Sequence, residues 1–314
     1  MPFFNRSIAR CRRALPLATL STLVTLAAPS FAQTWTSAYD GRSEPDGIFN
    51  GISGMAVLDA ASNANTDTFE LLVAHDNKDG TSARFRMLRW EAGALTDEAL
   101  TWNSKLPKPF DLEGLTAVPG EDSFLAIESD GDFYHVVVDR AALTVTPVAT
   151  GQVPNLPEGS NLESIELFES GIGTLLVWAH RGKDADPGVL YWGTFDPDSL
   201  NVQPLGSQEI SVPAPIGNVR HISDIAITSG GQTFVSAATD NGDDGPFESI
   251  VYEIGSFGFT RDYNEYGFSP YSTFVEIGSG AGYKIEAIVR DPLRAHPAML
   301  LGTDDENFGS AIGR

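Results

Sequence analysis

The chain of 314 residues holds a single cysteine, Cys11, placed ahead of every acidic residue. Beyond it no thiol exists for a disulfide, an iron–sulfur cluster or a thiolate zinc site, so core packing must hold the fold, with oxygen ligands for any metal. Positive charge is scarce. Against 42 Asp and Glu stand 20 Lys and Arg, a formal net charge of −22, and four of those bases (Arg6, Arg10, Arg12, Arg13) crowd the N-terminus. Such a field repels phosphate backbones and anionic membranes and attracts cations, which excludes nucleic acid as a partner. Long apolar runs are missing too. The one candidate, Ala14 to Ala28, is interrupted by Pro16 and too short to cross a bilayer comfortably. No segment shows amphipathic helical periodicity.

Basic residues, then the Ala14–Ala28 apolar stretch, then the small-x-small triplet Ser30-Phe31-Ala32 make residues 1–32 a secretory signal peptide cleaved near Ala32. The expected product is a secreted or periplasmic protein without membrane insertion, a single domain over residues 33–314 and a monomer. With 42% hydrophobic residues it can bury a substantial core.

One short phrase recurs five times: Gly51-Ile52-Ser53-Gly54-Met55, Asp111-Leu112-Glu113-Gly114-Leu115, Asn161-Leu162-Glu163-Ser164-Ile165, His221-Ile222-Ser223-Asp224-Ile225 and Lys284-Ile285-Glu286-Ala287-Ile288. Each places Ser or Glu between apolar residues that open an alternating strand. A second β-rich run follows each (69–74, 123–128, 173–179, 233–238, 298–302), then an acidic or Gly-containing turn, then a third run (84–90, 133–139, 189–195, 249–254, 310–313). Period-two alternation rich in Val, Ile, Phe, Tyr and Thr reads as strand. The Ser/Glu positions are 60, 50, 60 and 63 residues apart. Five units of this length fill the chain after residue 32 and predict an all-β, five-bladed β-propeller. The last unit is one strand short, and Thr34–Tyr39 alternates like an outer strand, so the N-terminal strand is expected to close the last blade.

In a propeller the innermost strands line a channel, which would bring Ser53, Glu113, Glu163, Ser223 and Glu286 around one axis. Three converging carboxylates repel in a partly desolvated space and call for protonation, water or a cation. An all-oxygen donor set of mixed charge suits calcium. A ring of solvated channel residues is the plainer alternative.

The ordered Ser, Glu, Glu, Ser, Glu phrases resemble two five-bladed propeller families. One is the SdiA-regulated family of bacterial exported proteins, similar at Ile52-Ser53-Gly54-Met55 and Leu112-Glu113-Gly114-Leu115. The other is the soluble calcium-activated nucleotidases (apyrases), in which that Ser/Glu order holds a central calcium. The resemblance implies a calcium cofactor in the channel. It further implies either a binding or accessory protein for a small-molecule, carbohydrate or phosphate ligand, or a calcium-dependent phosphoester or phosphoanhydride hydrolase, apyrase- or phytase-like.

For hydrolysis the candidates lie in two turns: His75, Asp76 and Lys78, and His180, Arg181 and Lys183. The cations would clamp an anion beside calcium and a His would carry the proton. The apyrase turn has Arg and a Thr-Gly pair where this chain has Lys78 and none. Four tryptophans, Trp90, Trp102, Trp178 and Trp192, offer a third reading, sugar stacking.

Overall fold

The computed structural model describes residues 33–40, 47–62, 67–79, 81–260, 265–295 and 297–314. Residues 1–32, over which a signal peptide and its cleavage site are expected, lie outside them, as do Gly80 and His296. No helix among the described residues is long and apolar enough to cross a membrane.

The described residues are almost entirely strand. After β1 (Trp35–Asp40) comes an antiparallel meander of β2 (Gly54–Ser62), β3 (Asp67–Ala74), β4 (Phe85–Glu91) and β5 (Ala94–Trp102). The pattern repeats with β6 (Leu112–Ala117), β7 (Phe124–Glu128), β8 (Asp132–Asp139) and β9 (Thr144–Gln152). It repeats again with β10 (Leu162–Ser170), β11 (Gly173–His180), β12 (Gly188–Asp196) and β13 (Asn201–Ile210), and then with β14 (Val219–Ile227), β15 (Gln232–Thr239), β16 (Glu248–Phe259) and β17 (Tyr266–Ala281). Finally β18 (Ile285–Arg290), β19 (Met299–Thr303) and β20 (Gly309–Gly313) form a sheet whose outer strand is β1. Thr34 and Arg314 exchange both backbone hydrogen bonds there, at 3.0 and 3.1 Å. The sheets number four, because β5 and β9 pair in parallel at Thr101–Trp102 and Thr144–Val145 and fuse the first two meanders.

The first strand of each meander touches that of the next, from β2 through β6, β10 and β14 to β18, and β18 returns to β2. Strand sheets arrayed around such a ring make a β-propeller. Small or polar residues let these strands approach. A Cβ on Gly54 would lie 2.8 Å from the Leu115 nitrogen, and one on Gly114 would lie 2.9 Å from that of Ile165. Further round, Ser164 Oγ donates to Asp224 Oδ1 at 2.5 Å, and the Ile288 amide donates to Asp224 Oδ2 at 2.6 Å.

Between neighbouring sheets sit apolar layers, for example Val177, Trp192, Ile225 and Phe257 between the third and fourth meanders. Strand β7 is buried along its whole length, whereas β9 alternates towards solvent. The tryptophans belong to this packing. Trp90 stacks on Phe69 at 5.5 Å, Trp102 on Phe85 at 6.2 Å and Trp178 on Tyr191 at 5.8 Å, and Trp192 lies edge-on to Phe257. Trp90, Trp178 and Trp192 are buried. The sugar-stacking expectation for them gives way to a core role, since a ring packed inside a blade has no free face.

Candidate functional site at the channel mouth

In four of the five repeated phrases the Ser/Glu residue sits at an interruption of the strand ladder. Leu112 pairs with Glu128 and Gly114 with Ile127, so Glu113 is left between them. The same happens to Glu163 between Leu162 and Ser164, and to Glu286 between Ile285 and Ala287. Ser223 lies in the wider irregularity between Arg220 and Asp224. A bulge leaves one residue unpaired and re-aims its side chain. Here it turns the carboxylates towards one another: Glu163 and Glu286 are among the charges that raise the Glu113 carboxyl.

All five ring residues are buried, yet their partners differ. Ser53 Oγ donates to the Leu112 carbonyl at 2.7 Å, linking the first meander to the second. Glu163 accepts from Arg181 at 3.2 Å and from Arg220 at 3.1 Å. Glu286 accepts from Arg220 at 2.7 Å and from Lys284 at 3.0 Å. Arg220 also reaches Asp240 at 3.2 Å. Lys284, almost fully buried, pairs in addition with Glu306 and lies 3.8 Å from Asp304. One side of the mouth is therefore laced by three of the protein's own cations.

The opposite side is not. Asp76, Asp111 and Glu113 each bring a carboxylate oxygen within 4.8 Å of the others. Their only close cation among the described residues is Lys78, half exposed, 2.8 Å from Asp111 and 3.5 Å from Asp76. No such cation lies within ion-pair distance of Glu113 among the described residues. Burial, then Glu163, Asp76, Glu286 and Asp111, push the Glu113 carboxyl well above its usual range. Burial likewise raises Asp76 against the pull of Lys78, and raises Asp304. Where a cation touches, the direction reverses. Burial opposes ionisation of Glu286, but Lys284 and Arg220 hold it below the ordinary value. Lys78 and Ser129 do the same for Asp111 against its burial.

Several buried polar atoms near this ring lack hydrogen-bond partners among the described residues, Ser223 Oγ, Asn161 Oδ1, His75 Nε2 and Arg220 Nε among them. Ser223 is 1% exposed. Buried groups of this kind ordinarily meet water, an ion or a ligand. Gly51 makes room in the same place: where other phrases carry Asp111, Asn161, His221 or Lys284, a Cβ on Gly51 would lie 2.1 Å from Asp304 Oδ1.

The hydrolytic candidates separate. Asp76, Lys78 and Arg181 stand at the mouth, through their contacts with Asp111 and Glu163. His75 is buried, its Nδ1 donates to the Gly51 carbonyl at 2.6 Å, and burial lowers its pKa to about 4. His180 Nδ1 faces the Asn161 backbone, 3.0 Å from its amide nitrogen and 2.9 Å from its carbonyl oxygen. Lys183 is exposed and joins Asp186 only through a backbone bridge. Sequence reading overlooked Asp111, Arg220, Asp240, Lys284 and Asp304 as members of the site. Two of them, Asp111 and Lys284, carried a signal: each is a charged residue that opens a repeated phrase, two positions before a ring glutamate.

No protein-family model matches the chain, and no curated protein matches it in sequence. Solved structures do resemble it in backbone. A GH43 protein from Bacillus licheniformis aligns at a TM-score of 0.40 with 9% identity, over 68% of this chain and 43% of that one. A GH43 β-1,3-galactosidase solved with galactodeoxynojirimycin gives 0.46 and 10%, over 88% and 93%. The GH32 β-fructofuranosidase of Bombyx mori gives 0.41 and 12%, over 91% and 62%. This chain thus spans less than half of the first of these proteins and most of the second.

Proposed function

We propose that the protein is an exported five-bladed propeller that binds a divalent cation, calcium by its ligand chemistry, beside the channel mouth, and acts as a binding or accessory protein. Five meanders whose first strands close a ring support the blade count. The observation that carries the cation is the corner of Asp76, Asp111 and Glu113: three carboxylates and one half-exposed ammonium. This donor set fits a hard cation, because calcium takes carboxylate and hydroxyl oxygens in irregular geometry. Of the five ring residues expected to hold the ion, Glu113 belongs to this corner. Glu163 and Glu286 already face Arg220, and Ser53 is committed to backbone, so the ion is best served by Glu113 with Asp76 and Asp111.

Calorimetric titration of the mature chain with calcium tests this. Glu113→Gln should weaken binding by tenfold or more, about the effect of losing one close charge. Lys78→Met, which removes the competing cation, should tighten it about tenfold. Absence of calcium binding in both the parent and Lys78→Met would refute the reading. The second reading, a calcium-dependent phosphoester or phosphoanhydride hydrolase, draws on Arg181, whose guanidinium borders the mouth beside Glu163. Phosphate release from nucleotides or phytate, dependent on calcium and lost in Arg181→Gln, would favour it.

A further inference from the structure

A second cleft lies away from the mouth, between β16–β17 and β19, where Met299 begins its strand at the end opposite Asp304. Its volume is about 300 Å³, at the lower bound of ordinary small-ligand pockets. Val251, Ile277, Met299 and Leu301 give it an apolar wall continuous with the core between the fourth and fifth meanders. Arg294 and Arg314 border the same space.

The two arginines share one fully buried carboxylate. Arg314 Nε donates to Asp291 Oδ2 at 2.8 Å, and Arg294 Nε lies 3.6 Å from that same oxygen. Arg314, itself 8% exposed, turns Nη2 to Asp67 at 2.9 Å, whereas Arg294 has no acid other than Asp291 within ion-pair distance among the described residues and is half exposed. Asp291 and Asp67 balance the two guanidiniums, but Arg294 holds only the longer contact, to an oxygen that Arg314 already occupies, and so is the cation placed to meet a ligand at the apolar cleft. Gln33 adds a polar contact: its Oε1 is buried with no hydrogen-bond partner among the described residues. An apolar cavity with a cationic rim and one orphan acceptor describes its occupant by complementarity.

We infer that this cleft binds a small amphiphile with an anionic head, of the class of medium-chain carboxylates. The head faces Arg294, the chain lies along Val251, Ile277, Met299 and Leu301, and a hydroxyl near the head donates to Gln33 Oε1. The site is separate from the cation corner and does not depend on it.

Calorimetric titration with octanoate, its β-hydroxy derivative and octanol tests the inference. Octanoate should bind saturably, the hydroxy acid tighter, and octanol about tenfold more weakly than octanoate, the effect of one charge-assisted contact. Arg294→Gln, at a half-exposed position, should abolish the preference for octanoate over octanol. Ile277→Trp should block all three by filling the cleft, with the unfolding midpoint checked in parallel. No saturable binding by the parent chain, equal affinity for octanoate and octanol, or an unchanged preference in Arg294→Gln would overturn the inference.

Discussion

Replacing Arg220 by Met will destabilise the propeller by about 3–5 kcal/mol, because the change strands acids that are already out of water. The guanidinium is shared among Glu163, Glu286 and Asp240, contributed by three different meanders. Two of those carboxylates are almost fully buried and would have to take up protons or water. For a domain of this size the loss amounts to roughly 10 °C in the unfolding midpoint. A variant that also carries Glu286→Gln should recover part of it, since the coupling between the two side chains is then gone from both states. Calcium should raise the midpoint of Arg220→Met more than that of the parent, because the vacated corner is lined by the same kind of oxygen. An Arg220→Met protein as stable as the parent would show that the guanidinium does not staple the mouth.

The second large effect is a dependence on pH from within the ring. Glu166 lies on β10, accepts from Thr116 Oγ1 at 2.8 Å and from the Ile227 amide at 3.4 Å, and so ties three meanders together. Burial lifts its pKa from 4.5 to about 8, against the opposing pull of those hydrogen bonds. The folded state therefore holds a proton that the unfolded chain releases above about pH 4.5. Stability from this group is full below that pH and falls as the solution approaches pH 8, by about 1.4 kcal/mol per unit. Asp224, raised by burial, acts in the same direction. Glu166→Gln keeps an acceptor for Ile227 and a partner for Thr116 but cannot ionise. Urea denaturation at pH 5 and pH 8 should show a smaller loss of stability for Glu166→Gln than for the parent. Equal losses would contradict a protonated Glu166.

These two side chains also show how far the architecture could be read before any coordinates. The phrase around Ser53, Glu113, Glu163, Ser223 and Glu286 marks the first strand of every meander because close approach demands small or polar residues there, a demand visible in composition. The second strands were equally legible: β7 and β11 are nearly continuous apolar runs. Outer strands such as β5, with the sequence Ala-Leu-Thr-Asp-Glu-Ala-Leu-Thr-Trp, carry little pattern because one face meets solvent. The distribution of charge around the mouth was less accessible. Arg220 stands three residues before Ser223, which in a regular strand would place the two on opposite faces. The ladder irregularity between Arg220 and Asp224 changes that, and a bulge is a property of hydrogen bonding that composition does not display. Asp76 and Asp111 come together only because the first two meanders adjoin.

The most direct test of the cation corner is anomalous X-ray diffraction from crystals of residues 33–314 soaked in manganese as a stand-in for calcium. One strong anomalous peak is expected within coordination distance of Asp76, Asp111 and Glu113, absent in Glu113→Gln. A peak between Glu163 and Glu286 with Arg220 displaced, or none at the mouth at all, would contradict it.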